Sequence, residues 1–141
     1  MSDIFSAQKR SEIMSNISGK ETKPEILVRK FLFANGFRFR KNDKRFPGTP
    51  DIVLPKYKTV IFIHGCFWHG HENCKKAKLP ATRIEFWEEK ISKNILRDSS
   101  NYNELKKLGW NVLIIWECDI NNKAKREITF SKLLETLKSL I

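Results

Sequence analysis

The stretch DIVLPKYKTVIFIHG, Asp51–Gly65, is the one whose reading decides the fold. "DIVLP" and "KTVIFIHG" are two apolar runs rich in β-branched residues, each of strand length, joined by "KY". They read as two strands of a hairpin. Upstream, "NDKRFPGTP" is a loop rich in turn formers, and "FRFRK" alternates apolar and basic residues as a half-exposed strand does. Before it, "ETKPEILVRKFLFANG" reads as a helix. Thr22 and Glu25 have capping-box spacing, Pro24 suits the first turn, Ile26, Leu27, Phe31 and Ala34 form a core-facing stripe, and Gly36 is placed to end it. Residues 6–17 read as a shorter helix, with "ISGKET" as the break between the two.

Downstream of the hairpin lies an irregular loop, and then "LPATRIEFWEEKISKNILRDSSNYNELKKLG" keeps near-helical apolar spacing. The expected helix starts after Thr82 and ends at Gly109, with "RDSSN" its weakest part. "WNVLIIWEC" is an apolar strand that delivers Glu117 and Cys118 to its end, and a final helix is expected over Thr129–Leu140. A strand that follows a crossover helix joins its predecessor's sheet, so the class is α/β with one mixed sheet flanked by helices. The 141 residues suffice for a single domain with its own core. There are no repeats, low-complexity tracts or linker.

Lys and Arg number 27 against 16 Asp and Glu, a net charge of +11 that points to a polyanionic partner. No apolar run approaches the roughly 18 residues that span a bilayer. The first residues carry no basic-then-apolar leader pattern, so the expectation is a cytoplasmic protein without a membrane association. Three cysteines, an odd number, argue against a disulfide framework and for metal ligation or thiolate chemistry.

All three histidines and two of the cysteines fall in "FIHGCFWHGHENC", Phe62–Cys74. A structural zinc site needs four Cys or His ligands at short spacing. Cys66, His71 and Cys74 supply three, and Cys118 can arrive from the apolar strand. On spacing alone His69 can replace His71, and Cys118 can instead be a small buried hydrophobe. The histidines left over, His64 and one other, can carry protons near neutral pH or serve as hydrogen-bonding and packing groups. Asp51 opens its strand just after "FPGTP", and the neighbouring strand ends at His64. A carboxylate and an imidazole can therefore face one point across a strand pair, a nuclease-like layout in which the carboxylate holds Mg²⁺. The plainer reading of Asp51 is a turn or strand cap.

"FPGTPDIVLPKYKTVIFIHGCFWHGHENC", "LPATRIEFWEEKISKN" and "LGWNVLIIWEC" closely resemble the very short patch repair (Vsr) endonucleases over about residues 8 to 120. The resemblance implies a restriction-endonuclease-like fold of the PD-(D/E)xK-type variant, with structural Zn²⁺ and catalytic Mg²⁺. The implied activity is nicking of one DNA strand 5′ to the T of a T:G mismatch left by deamination of 5-methylcytosine. By the same resemblance Asp51 binds Mg²⁺ together with the backbone carbonyl of Ile63, which stands where some relatives carry threonine. His64 and His69 are catalytic and Glu25 is an active-site glutamate. Cys66, His71, Cys74 and Cys118 hold the zinc. Phe67, Trp68 and Trp87 wedge into the DNA stack, Met14 enters from the other groove, and Lys90 and Asn94 contact the mismatched bases. Residues 1–20 are then a helical arm on the DNA and 121–141 a C-terminal helix. The partners implied are mismatched double-stranded DNA, mismatch-repair proteins and a cognate cytosine methyltransferase system, with the enzyme a monomer.

Unstacking a base step costs a few kcal/mol, least at a mismatch, so rigid aromatic wedges favour an already weakened pair. By spacing alone Trp87 reads instead as core packing at a helix start. Two further functions share these features. One is a nuclease of a restriction or mobile-element system without mismatch preference, and the other is a zinc-bearing DNA-binding module with no catalysis.

Overall fold

The structure is a computed structural model and describes residues 23–140. The expected first helix over 6–17, with Met14, and the capping residue Thr22 lie outside the described residues. Helix α1 (Lys23–Ala34) leads to β1 (Arg40–Lys41), β2 (Ile52–Leu54) and β3 (Thr59–His64). Helix α2 (Ile84–Lys107) then crosses to β4 (Asn111–Trp116), and the short α3 (Glu117–Asn121) and α4 (Lys123–Ser139) close the chain.

The sheet order is β1-β2-β3-β4. The first three strands are antiparallel neighbours and β4 runs parallel to β3, from Thr59 opposite Asn111 to His64 opposite Trp116. The hairpin read from "DIVLP" and "KTVIFIHG" is therefore present, and the sheet is mixed. Its turn is longer than "KY": a 3₁₀ turn over Pro55–Tyr57 closes on Lys58, whose N–H donates to Pro55 O at 3.1 Å.

Side-chain alternation along β2 and β3 sorts the core into two faces. Ile52, Leu54, Ile61 and Ile63 meet Val28 and Leu32 of α1, Ile120 of α3 and Leu133 and Leu137 of α4. Val53, Val60 and Phe62 pack on the other face against Leu105 of α2. Helices cover both faces, which is why β2 and β3 are buried at every position and apolar at all but Thr59 and His64. The alternation also assigns His64 to the α2 face, in line with Val60 and Phe62.

Several expectations are corrected. The strand expected over "FRFRK" is only Arg40–Lys41, because the α1 terminus occupies its first residues. Gly36 takes φ +84°, Gly36 N–H bonds Phe33 O at 3.1 Å and Phe37 N–H bonds Leu32 O at 3.0 Å. Phe37 thus belongs to the helix stop, a Schellman arrangement that needs the left-handed residue at Gly36. The buried stripe of α1 is Glu25, Val28, Arg29 and Leu32, while Ala34 is exposed and Ile26, Leu27 and Phe31 are only partly covered. Leu27 and Phe31 do pack against the core from its edge, but two of the fully buried positions are charged and mutually paired, so apolar spacing alone misses the centre of the stripe.

At the far end, β4 is an edge strand with Ile114 exposed. Glu117 and Cys118 lie in the first turn of α3 rather than on the strand. Helix α4 begins at Lys123, well before Thr129, because the Asn122 side chain accepts from Lys125 N–H at 3.0 Å and caps a polar first turn. No helix among the described residues is long and apolar enough to cross a membrane.

Candidate active site and metal centre

Asp51 immediately precedes β2, on the face shared by Val53 and His64. One of its oxygens, Oδ2, accepts the backbone N–H of Ile63 at 2.6 Å, bridging the two strands of the hairpin. From α1, the buried Glu25 hydrogen-bonds to the same carboxylate. Arg29 sits one helical turn further, its Nη1 3.5 Å from Glu25 Oε2. Burial pushes the Asp51 carboxyl above its ordinary value, against the Ile63 N–H, Glu25, His69 and Arg29, which all favour the anion. Two carboxyl groups hydrogen-bonded in a half-dry cleft must share a proton or a cation. That donor set, hard carboxylate oxygens in a cleft that Ile63 also lines, suits a small divalent ion.

His64 and His69 stack face to face, with ring centroids 3.7 Å apart and planes inclined by 15°. His69 Nδ1 lies 2.6 Å from Asp98 Oδ2, and His64 Nε2 is hydrogen-bonded to the Tyr102 hydroxyl. Burial, then the neighbouring His69, brings His64 down to about 4 despite the opposing influence of Asp98, so His64 is neutral at pH 7. His64, His69 and Asp98 offer ligand atoms within 4.8 Å of one another. Parallel rings direct their lone pairs side by side rather than at one point, so this trio suits proton handling better than metal binding. Glu25, Asp51, Ile63, His64, His69 and Asp98 all line one cleft.

Beside the cleft, Cys66, His71, Cys74 and Cys118 also bring their ligand atoms within 4.8 Å of one another. Cys66 follows β3, its N–H held by Glu117 Oε1 at 3.1 Å, and its carbonyl accepts His71 N–H at 3.0 Å. The His71 ring lies flat on Trp116 at 4.1 Å, with Nδ1 3.5 Å from Cys118 Sγ. All three cysteines are free thiols. Burial pushes the Cys66 thiol up to about 12 and raises that of Cys118, so both favour the protonated form until a cation replaces the protons. Three sulfurs and one imidazole form the donor set of a closed tetrahedral site. Of the two histidines that spacing left open, the geometry groups His71 with the cysteines, while His69 faces Asp98.

Between these two sites the loop carries its aromatics outward. Phe67, Trp68 and Trp87 form a triangle of edge-on contacts, 5.2 to 5.8 Å between centroids, and Trp68 is 49% exposed. Trp87 is half-buried and packs on this cluster, not in either core. The Asn94 amide donates to Trp68 O at 2.9 Å and its Oδ1 accepts from Arg97, so in this structure Asn94 braces the loop. Lys90, one turn earlier on α2, is exposed. Phe86, 45% exposed under the Arg83 guanidinium, extends the cluster and was not anticipated. Nor were Asp98, Tyr102 and Glu117. A signal for the first two existed in Asn94, Asp98 and Tyr102, a stripe at i, i+4, i+8 that places all three on one side of α2.

Comparison with known proteins places this geometry in context. The family described as DNA mismatch endonuclease Vsr matches residues 2–76. A type II nicking enzyme, V.NmeAIP of Neisseria meningitidis serogroup A, is 55% identical over 141 residues, the whole of both chains. The DNA mismatch endonuclease Vsr of Escherichia coli K12 is 43% identical over all of this chain and 88% of its own. A type II nicking enzyme, V.XorIIP of Xanthomonas oryzae, is 39% identical over 96% of this chain and 98% of its own.

Proposed function

The chain belongs to the Vsr family of DNA mismatch endonucleases and is a DNA endonuclease, and from that premise we propose that it nicks one strand of duplex DNA 5′ to the T of a T:G mismatch. The reading of the chain as a DNA-binding module without catalysis is thereby set aside. The supporting observation is the shared cleft, in which the Asp51–Glu25 carboxyl pair, the His69–Asp98 pair and the exposed Trp68 all meet.

In this reading Asp51 and the Ile63 carbonyl hold Mg²⁺, with Glu25 alongside. When bound, Mg²⁺ supplies Lewis-acid polarisation of the phosphodiester and offsets its charge. His69 is oriented by Asp98, whose carboxylate accepts a hydrogen bond from Nδ1–H and leaves Nε2 as the acceptor for the proton of an attacking water. His64 is kept neutral by burial, so it offers a hydrogen bond to the phosphate rather than a proton. Cys66, His71, Cys74 and Cys118 hold Zn²⁺, the ion that three thiolates and an imidazole select. That clamp ties the wedge loop to α3. Phe67, Trp68 and Trp87 enter the stack beside the mismatch, Lys90 approaches the bases, and Asn94 swings from Trp68 to join it. The fold is the restriction-endonuclease-like PD-(D/E)xK-type variant, one domain over residues 1–141. Residues 1–20 with Met14 lie on the DNA, the enzyme acts in the cytoplasm as a monomer, and a cytosine methyltransferase and mismatch-repair proteins are its functional partners.

The test is a strand-resolved nicking assay with Mg²⁺ on duplexes holding one T:G pair or its T:A control, across randomised flanks. Nicking confined to T:G duplexes is expected. Equal cutting of both, or of neither in any context, overturns the proposal. A second reading is favoured by the names of two relatives, both type II nicking enzymes: a nuclease of a restriction system without mismatch preference. It predicts that Trp68→Ala scarcely changes cutting, whereas the mismatch reading predicts loss of discrimination.

A further inference from the structure

His64 is enclosed almost entirely by rings. His69 stacks on it, Trp116 meets it edge-on at 5.5 Å, and Phe62 and Tyr102 lie tilted against it at 5.6 and 6.1 Å. Such packing limits where the imidazole sits but not which way round it sits. Turning the ring over exchanges nitrogen for carbon with almost no change of shape, so apolar neighbours cannot distinguish the two orientations, and only a hydrogen bond can. That hydrogen bond runs between His64 Nε2 and the Tyr102 hydroxyl.

Tyr102 is well placed to hold a fixed position. Its ring packs on Phe62 at 5.3 Å and against the buried cluster on the α2 face, while its hydroxyl reaches outward to His64. It follows Asp98 by one helical turn. Two consecutive turns of one rigid helix thus hold two stacked imidazoles, Asp98 through His69 Nδ1 and Tyr102 through His64 Nε2. We infer that Tyr102 is the positioning residue of His64: its hydroxyl donates to Nε2, selects the tautomer with the proton on Nδ1, and turns that Nδ1–H toward the nuclease cleft. Tyr102 lines a neighbouring hollow together with His69, Asp98, Ser99, Ile114 and Trp116 and is not among the residues lining the nuclease cleft, so it acts on His64 without touching substrate.

The inference rests on the endonuclease reading for its catalytic consequence, and its test has an arm that does not. The zinc-loaded wild type and Tyr102→Phe, which removes one oxygen and keeps the ring, are compared by long-range ¹H–¹⁵N NMR of the histidine rings at neutral pH. Wild-type His64 should show a single tautomer protonated at Nδ1, and Tyr102→Phe a mixture. At saturating enzyme the single-turnover nicking rate on a T:G duplex should fall about 10- to 100-fold, the scale of a misplaced reacting group, with duplex affinity and melting temperature unchanged. Identical tautomers in the two proteins, an unchanged nicking rate, or a rate loss that merely tracks affinity or melting temperature each overturns the assignment. If the wild type nicks no duplex, the endonuclease reading fails and the NMR comparison alone decides whether Tyr102 sets His64.

Discussion

Gly70 and Ile95 are in such close approach that a β-carbon at position 70 would stand 2.6 Å from Ile95 Cδ1 and 2.9 Å from Ile91 Cγ2. The loop that carries Cys66, His71 and Cys74 therefore lies directly on α2, backbone against side chain. Gly70 also takes φ +60°, where an L side chain is strained. Gly70→Ala should destabilise the protein by about 1–3 kcal/mol, combining left-handed strain with overpacking. Adding Ile95→Ala should return only the share of the steric cost that Ile95 contributes, since the contact with Ile91 Cγ2 and the backbone strain both remain. Urea unfolding of the two variants checks this; equal stability of Gly70→Ala and wild type would exclude the close packing.

The His69–Asp98 pair should be the most sensitive point of the chemistry. Asp98→Asn keeps the size of the side chain but offers an amide where His69 Nδ1 needs an acceptor. Nicking at saturating enzyme should fall by about 100-fold or more, with duplex binding preserved. Retained nicking would show that His69 needs no carboxylate behind it.

Cys118 ties α3 to the loop after β3, so its loss should be felt at both ends. Cys118→Ala should take zinc content, measured by elemental analysis of the purified protein, from about one ion per chain to near none. The His71 ring should then loosen from Trp116 and change the tryptophan emission. Full zinc occupancy in the variant would remove Cys118 from the ligand set.

His64 predicts an acid sensitivity whose sign follows from its burial. Its folded value of about 4 lies below the ordinary 6.5, so the unfolded chain binds the proton first as pH falls. The neutral ring contributes fully above pH 6.5, and stability declines as pH drops through the window down to about 4. The total is at most about 3 kcal/mol, of which about 2 kcal/mol falls between pH 6.5 and 5. His64→Asn should flatten that part of the profile relative to wild type, measured by denaturant melts at each pH. Parallel profiles would mean that His64 is not held neutral by the fold.

The hairpin and the sheet class were legible because apolar runs of strand length carry their own signal, and the crossover helix between β3 and β4 implies a parallel pairing. The short β1 and the early start of α4 were not, because each was decided by a local hydrogen bond: Phe37 N–H taken by the end of α1, and the Asn122 side chain capping Lys123–Ser139. In the site, the crowding of His and Cys in Phe62–Cys74 raised the expectation of a metal centre, yet spacing could not choose between His69 and His71. The choice is geometric. His71 reaches Cys118 across 47 positions of chain by lying flat on Trp116, while His69 turns to Asp98.

The sequence by itself determined which elements form, which residue types could carry chemistry, and the family to which the chain belongs, since these depend on local periodicity and on the order of motifs. Tertiary structure alone decided the partnerships: Glu25 with Asp51, His69 with Asp98, His64 with Tyr102, and Cys66 N–H with Glu117. Each joins groups from different elements, and α1, α2 and α3 bring them together only by covering the two apolar faces of the sheet. A polar contact of that kind leaves no period in the chain. It exists because burial of the sheet fixes where the helices lie.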